Sequence, residues 1–137
     1  EPDDLDGPII YLWHGTSEKA GAGIAKDRSL ASGSRGRNAS ADIKHAMQYP
    51  EDTSAQNIVL LKAETKSLDI DPNDQIGETV RDGLFPDGFG SSVTVGRHKV
   101  QAVFDISKAP EKAMDAMQRG DFAKALKMGV KVVYQSK

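Results

Sequence analysis

Short apolar runs rich in β-branched and aromatic residues alternate along the chain with amphipathic stretches. The first run, "PIIYLWH" (Pro8 to His14), predicts a buried strand. In "TSEKAGAGIAKDRSL", Ala20, Ile24 and Leu30 point to one inward face of a helix. Thr16 or Ser17 is placed to cap that helix, and Glu18 suits its first turn, where backbone N–H groups lack partners. Gly21 and Gly23 oppose the helix, because glycine loses more chain entropy on ordering than alanine does. "ASGSRGRN" is loop by composition. In "ADIKHAMQY", Ile43, Ala46 and Met47 recur at helical spacing and predict a short amphipathic helix.

Further on, "QNIVLLKA" predicts a strand and "DIDPNDQ" a turn. "IGETVRDGLFPDGFG" reads as a short helix running into a Gly/Pro-rich loop. "SSVTVG" and "KVQAVFDIS" predict two strands joined tightly through Arg97 and His98. "APEKAMDAMQRGDFAKALKMG" predicts two short helices broken near Gly120, and "VKVVYQS" a last strand. There is no internal repeat or heptad pattern. Strands and helices do not alternate strictly, so the expected class is α+β and not a doubly wound sheet.

Composition narrows the chemistry. A chain of 137 residues, 38% of them hydrophobic, suits one domain with one core. The acidic "EPDDLDGP" reads as a linker over residues 1–8, cut from a longer chain, with a single domain over 9–137. The formal net charge of -2 gives no bulk attraction for nucleic acid or an anionic membrane. Locally basic "KDRSLASGSRGR" carries Arg28, Arg35 and Arg37, which suit either a solvated loop or a pyrophosphate. With no cysteine there is no disulfide, thiolate zinc site or thiol catalysis, and the compartment stays open. No run of about 18 apolar residues occurs to span a membrane. His14, His45 and His98 are scattered, which argues against a metal site; His45 is expected to be solvated and His98 to sit in a turn. Phosphate-loop, dinucleotide-fold and nucleophile-elbow patterns are lacking.

The candidate chemistry lies at the end of the first strand. His14 is followed by Gly15, which lets a ligand approach the backbone, then by Thr16 and a helix N-terminus. A strand ending His-Gly-Thr before a helix resembles the first motif of the histidine-type ADP-ribosyltransferases, the diphtheria-toxin and poly(ADP-ribose) polymerase branch. The resemblance covers roughly Ile9 to Lys108. It implies a split β-sandwich with NAD as substrate in the cleft. His14 would hold an NAD ribose hydroxyl, Gly15 would pair with the nicotinamide carboxamide, and Thr16 would add a hydroxyl.

The family's second motif is a pair of tyrosines eleven apart. Tyr49 falls at the second position, where it would stack on the nicotinamide; Asn38 replaces the first. The third motif, a Glu on a late strand, has no Glu here: "HKVQAVFDIS" offers Gln101, with Asp105 expected on the same face by strand alternation. Glu78 is a further acid. The implied activity is transfer of ADP-ribose with release of nicotinamide, by His14, Tyr49 and Gln101, to a protein or RNA acceptor. By analogy the chain would be the toxin or effector domain of a longer bacterial protein, secreted or delivered into a target cell and met by an immunity or inhibitor protein. Three alternatives stand beside it: an RNA 2'-phosphotransferase-like enzyme, a noncatalytic NAD or ADP-ribose binder, and a protein-interaction domain.

Overall fold

A computed structural model describes residues 9–30, 38–40, 43–47, 55–64, 69–70 and 93–136. In chain order the elements are β1 (Ile9–Thr16), α1 (Glu18–Asp27), β2 (Asn38–Ala39), α2 (Ile43–Ala46), β3 (Asn57–Glu64), β4 (Asp69–Ile70), β5 (Val93–Thr94), β6 (His98–Asp105), α3 (Glu111–Gln118), α4 (Phe122–Lys127) and β7 (Lys131–Gln135). The fold is α+β. An open, antiparallel four-stranded sheet has the order β1-β3-β6-β7, and a three-stranded sheet has the order β2-β5-β4. Among the described residues a backbone bridge links them: Trp13 N–H donates to the Ser40 carbonyl at 2.7 Å, and Ser40 N–H donates back to the Trp13 carbonyl at 2.9 Å.

The central strands β3 and β6 are largely buried on both faces, which explains why they read as nearly continuous apolar runs. On one face Leu12, Val59, Leu61, Val100 and Val103 pack with Ile24 and Leu30 from α1 and its exit, with Ala39 of the smaller sheet, and with Val95, which follows β5. On the other, Trp13, Ile58, Ala102 and Phe104 pack against α2, α3 and α4. Ala113, Met114, Ala116 and Met117 form the buried stripe of α3 that helical spacing requires. Phe122 of α4 stacks on Phe104 with ring centres 5.6 Å apart. Burying side chains of this size stabilises by about 1.5–3 kcal/mol each before entropy is counted.

Local chemistry sets the helix ends. Ser17, and not Thr16, caps α1: its Oγ accepts the Ala20 N–H at 3.1 Å. Arg28 ends α1 in the left-handed region at φ 59, where its N–H donates to the Ile24 carbonyl at 2.7 Å. Asp121 caps α4 through the Lys124 N–H at 3.2 Å, just after Gly120 breaks the helix pair at φ 82.

The two strands expected in "SSVTVG" and "KVQAVFDIS" are present and tightly joined, but they lie in different sheets: β5 pairs with β2 and β4, while β6 pairs with β3 and β7. The chain crosses from one sheet to the other at Val95, Gly96 and Arg97, with Val95 buried in the core. Gly21, expected to weaken α1, has a packing reason to be there. It is buried, and α1 crosses β3 there so closely that the Asn57 side chain fills the space a β-carbon would need. The helix expected near Ile76 lies outside the described residues.

Candidate functional site

β1 presents its C-terminal residues in three directions. Ile10, Leu12, His14 and Thr16 alternate onto the α1 side of the sheet, and Tyr11, Trp13 and Gly15 onto the opposite side. His14 is half-buried and stands opposite Val59, which in turn stands opposite Val103. Both valines are fully buried. Trp13 turns its N–H and C=O away from β3, toward Ser40. Backbone direction alternates along a strand, so Gly15, two residues on, turns its own N–H and C=O to that same outer edge. A β-carbon on Gly15 would collide with the Ala46 carbonyl of α2 and come within 3.2 Å of the Ala55 methyl. Gly15 is buried, so the glycine has a packing reason to be there.

The N-terminus of α1 is occupied by the protein's own groups. Gln56 Oε1 accepts the Glu18 N–H at 3.1 Å, and Ser17 Oγ accepts the Ala20 N–H. Thr16 is buried, and its carbonyl accepts the Gln56 N–H at 3.0 Å. Helix-terminus capture of a ligand, expected from the sequence, thus meets donors that Gln56 and Ser17 already use.

Gln101 sits at an irregularity. Leu60 pairs with Ala102 and Leu61 with Val100, so Gln101 is the extra residue of a β-bulge. Its carbonyl accepts the Ser136 N–H at 2.7 Å. The bulge resets the alternation, so that Val100 and Val103 share a core. The alternation from which Gln101 and Asp105 were expected to share a face is interrupted at Gln101 itself.

Asp105 ends β6, opposite Asn57 on one side and Lys131 on the other. Its Oδ1 accepts from Ser107 Oγ at 2.7 Å and from Ser107 N–H at 2.9 Å. Those two bonds, the hydroxyl first, hold its carboxyl below the ordinary carboxylate value against the opposing effect of burial, with help from Lys131 and Lys108. Two strand spacings and two residues of rise put the Asp105 and His14 backbones roughly 12 Å apart.

Asn38 opens β2 opposite Thr94. Tyr49, Arg35, Arg37 and Glu78 lie outside the described residues. Arg28 is exposed in the turn after α1, with its guanidinium 5.6 Å from the centre of the Tyr134 ring on β7. His98 does not sit in a turn. It opens β6, with Nδ1 2.8 Å from the Gly96 carbonyl and Nε2 3.1 Å from the Leu30 N. A carbonyl accepts only from N–H, so Nδ1 carries the proton and Nε2 accepts from Leu30. Sequence reasoning passed over Gln56 and Asn57; the one available signal was two amides standing directly before an apolar strand.

The chain matches no family model, no curated protein and no solved structure. Among the described residues no helix is long and apolar enough to cross a membrane, and no group of three His, Cys, Asp or Glu side chains is placed to hold a metal ion.

Proposed function

We propose that the chain is an NAD-dependent ADP-ribosyltransferase built on a split β-sandwich, with its ligand at the outer edge of β1. The observation that carries this reading is the direction of the Gly15 backbone beside His14, where the two sheets meet. A primary carboxamide has one acceptor and an N–H donor on the same carbon. An outward N–H and C=O on a single residue complement it with two hydrogen bonds, as a further strand would. Nicotinamide is such a carboxamide. His14 then holds the ribose, and Tyr49 closes over the ring. Fixing both sides of the glycosidic bond favours its cleavage by orientation, and an acceptor on a protein or RNA takes the ribosyl carbon. An immunity or inhibitor protein fits the effector version of this reading.

Stabilising the cationic sugar is the unfilled role. Gln101 can orient a hydroxyl but carries no charge. Loss of one electrostatic group of this kind commonly costs about 2.7–4 kcal/mol of barrier. Val59 and Val103, in the cross-strand row of His14, leave that row without a carboxylate. This observation favours a second reading, a binder of NAD or ADP-ribose that does not turn it over.

Incubation with NAD labelled in the adenylate and in the nicotinamide tests both. Released nicotinamide with label on a macromolecule supports transfer. Thermal protection by NAD without release supports the binder. Neither protection nor release overturns the nucleotide site.

A further inference from the structure

We propose that the outer edge of β7, beneath the end of α4, binds an extended acidic segment of a partner protein as a fifth strand of the larger sheet. β7 is the last strand of that sheet, and among the described residues it pairs with β6 alone. A strand with one partner turns alternate N–H and C=O groups outward. Ser136 N–H donates inward to the Gln101 carbonyl at 2.7 Å, so the neighbouring Gln135 turns its own groups to the outer edge.

Two apolar side chains flank that edge. Val132 stands opposite Phe104 and so projects from the face that α4 covers. Leu126 follows Phe122 by one helical turn, and Phe122 stacks on Phe104, so Leu126 lies on the sheet-facing side of α4. That placement should bury both, yet Val132 is 42% exposed and Leu126 43%. The cover of the sheet therefore ends over β7 and leaves a half-open apolar step. A strand laid along β7 places its own side chain in that step. Val133, the extra residue of a bulge between Val132 and Tyr134, is also exposed.

Charge selects the occupant. Lys131 opens β7 and Lys127 lies in the last turn of α4. In the turn between them, a β-carbon on Gly129 would stand 3.1 Å from the Lys108 carbonyl, which brings Lys108 to the same corner. All three lysines are exposed. β7 and the part of β6 paired with it hold one carboxylate, Asp105, which Ser107 engages with two hydrogen bonds. A lysine and a bulge on an edge strand deter pairing with a strand of the same kind. A second copy of β7 brings lysine and no carboxylate to this edge. A strand with Glu or Asp between apolar residues meets Lys131 and Lys127 with opposite charge, bonds to β7 through its main chain, and fills the step beside Val132. The inference does not depend on NAD binding, and its test is run without NAD.

Fluorescence anisotropy decides it, with a short labelled peptide of alternating glutamate and valine. The controls are the same peptide with lysine in place of glutamate, and two forms N-methylated at every valine or at every glutamate. We expect the glutamate–valine peptide to bind and the lysine form not to. One edge of an added strand faces β7, so one methylated form loses at least about tenfold in affinity and the other binds as the parent peptide does. Lys127→Gln and Lys131→Gln each weaken binding by about two- to fivefold, and by less at high salt. Leu126→Ala weakens it by about three- to tenfold. No binding of the glutamate–valine peptide, equal affinity of the two methylated forms, or unchanged affinity in folded Leu126→Ala and Lys131→Gln proteins overturns the proposal. So does a peptide-free dimer in sedimentation, or binding to phosphatidylserine vesicles, that the same two variants abolish.

Discussion

Gly15 of β1 lies against the Ala46 carbonyl at the end of α2 with no room between them for a side chain. The clash is with backbone, which cannot rotate out of the way. Gly15→Ala must therefore push α2 off the sheet or bend β1. We expect a loss of about 1–3 kcal/mol in urea unfolding, as for other overpacked cores. A variant as stable as the parent shows that α2 yields freely, leaving ligand access as the reason for the glycine.

Gly21 and Gly23 sit two residues apart on α1 and should respond oppositely. At Gly23 a β-carbon meets nothing within 4 Å, so Gly23→Ala gains helix propensity, about 0.5–1 kcal/mol. At Gly21 the β-carbon meets the buried Asn57 side chain, with Cγ at 2.7 Å, so Gly21→Ala destabilises despite the same gain. Chemical denaturation of the two variants side by side checks the sign of each.

His14→Ala separates ligand from fold. The residue is half-buried near the C-terminal end of β1, so we expect an unchanged circular dichroism spectrum. For the parent, NAD at a hundredfold above its dissociation constant should stabilise by about 2.7 kcal/mol. Thermal melts with and without NAD should show that shift lost in the variant. An equal shift in the folded variant removes His14 from the site.

Asp105 gives a pH dependence with a defined sign. Its folded value is lowered from 3.8, so the stability it contributes is complete above 3.8 and is lost as pH falls through the folded value. Ser107→Ala removes the largest cause of the shift, the hydroxyl bond. Carboxyl titration by NMR should then place Asp105 nearer 3.8. Urea unfolding should show less acid-dependent loss of stability.

His98→Ala tests a structural histidine. Leu30 is buried, and its N–H donates to His98 Nε2 at 3.1 Å. Stranding that donor costs about 1–3 kcal/mol. Faster hydrogen exchange at the Leu30 amide, with a lower unfolding midpoint, is the expected result; unchanged exchange shows that another acceptor replaces the ring.

Most of the elements were legible in the sequence because their signals are local. "PIIYLWH", "NIVLLKA" and "KVVYQ" are strands, and the stripe Ala113, Met114, Ala116, Met117 marks a helix, since apolar period and β-branching act over a few residues. The α+β class followed from their order. At the candidate site, His14, Gly15 and Thr16 were legible as a strand end before a helix.

Tertiary structure decided what those residues face. Which sheet "VT" and "KVQAVFD" join depends on partners far along the chain. A bulge at Gln101 appears only when β6 is laid against β3, and one inserted residue redirects the alternation on which the Gln101 and Asp105 reading relied. The packing demands on Gly15 and Gly21 come from Ala46 and Asn57, which lie 31 and 36 positions away in the sequence. Local pattern determines that a segment is a strand or a helix, because backbone and nearest neighbours set that energy. Close approach between segments is set by the packing of the whole core, and no short window of sequence contains it.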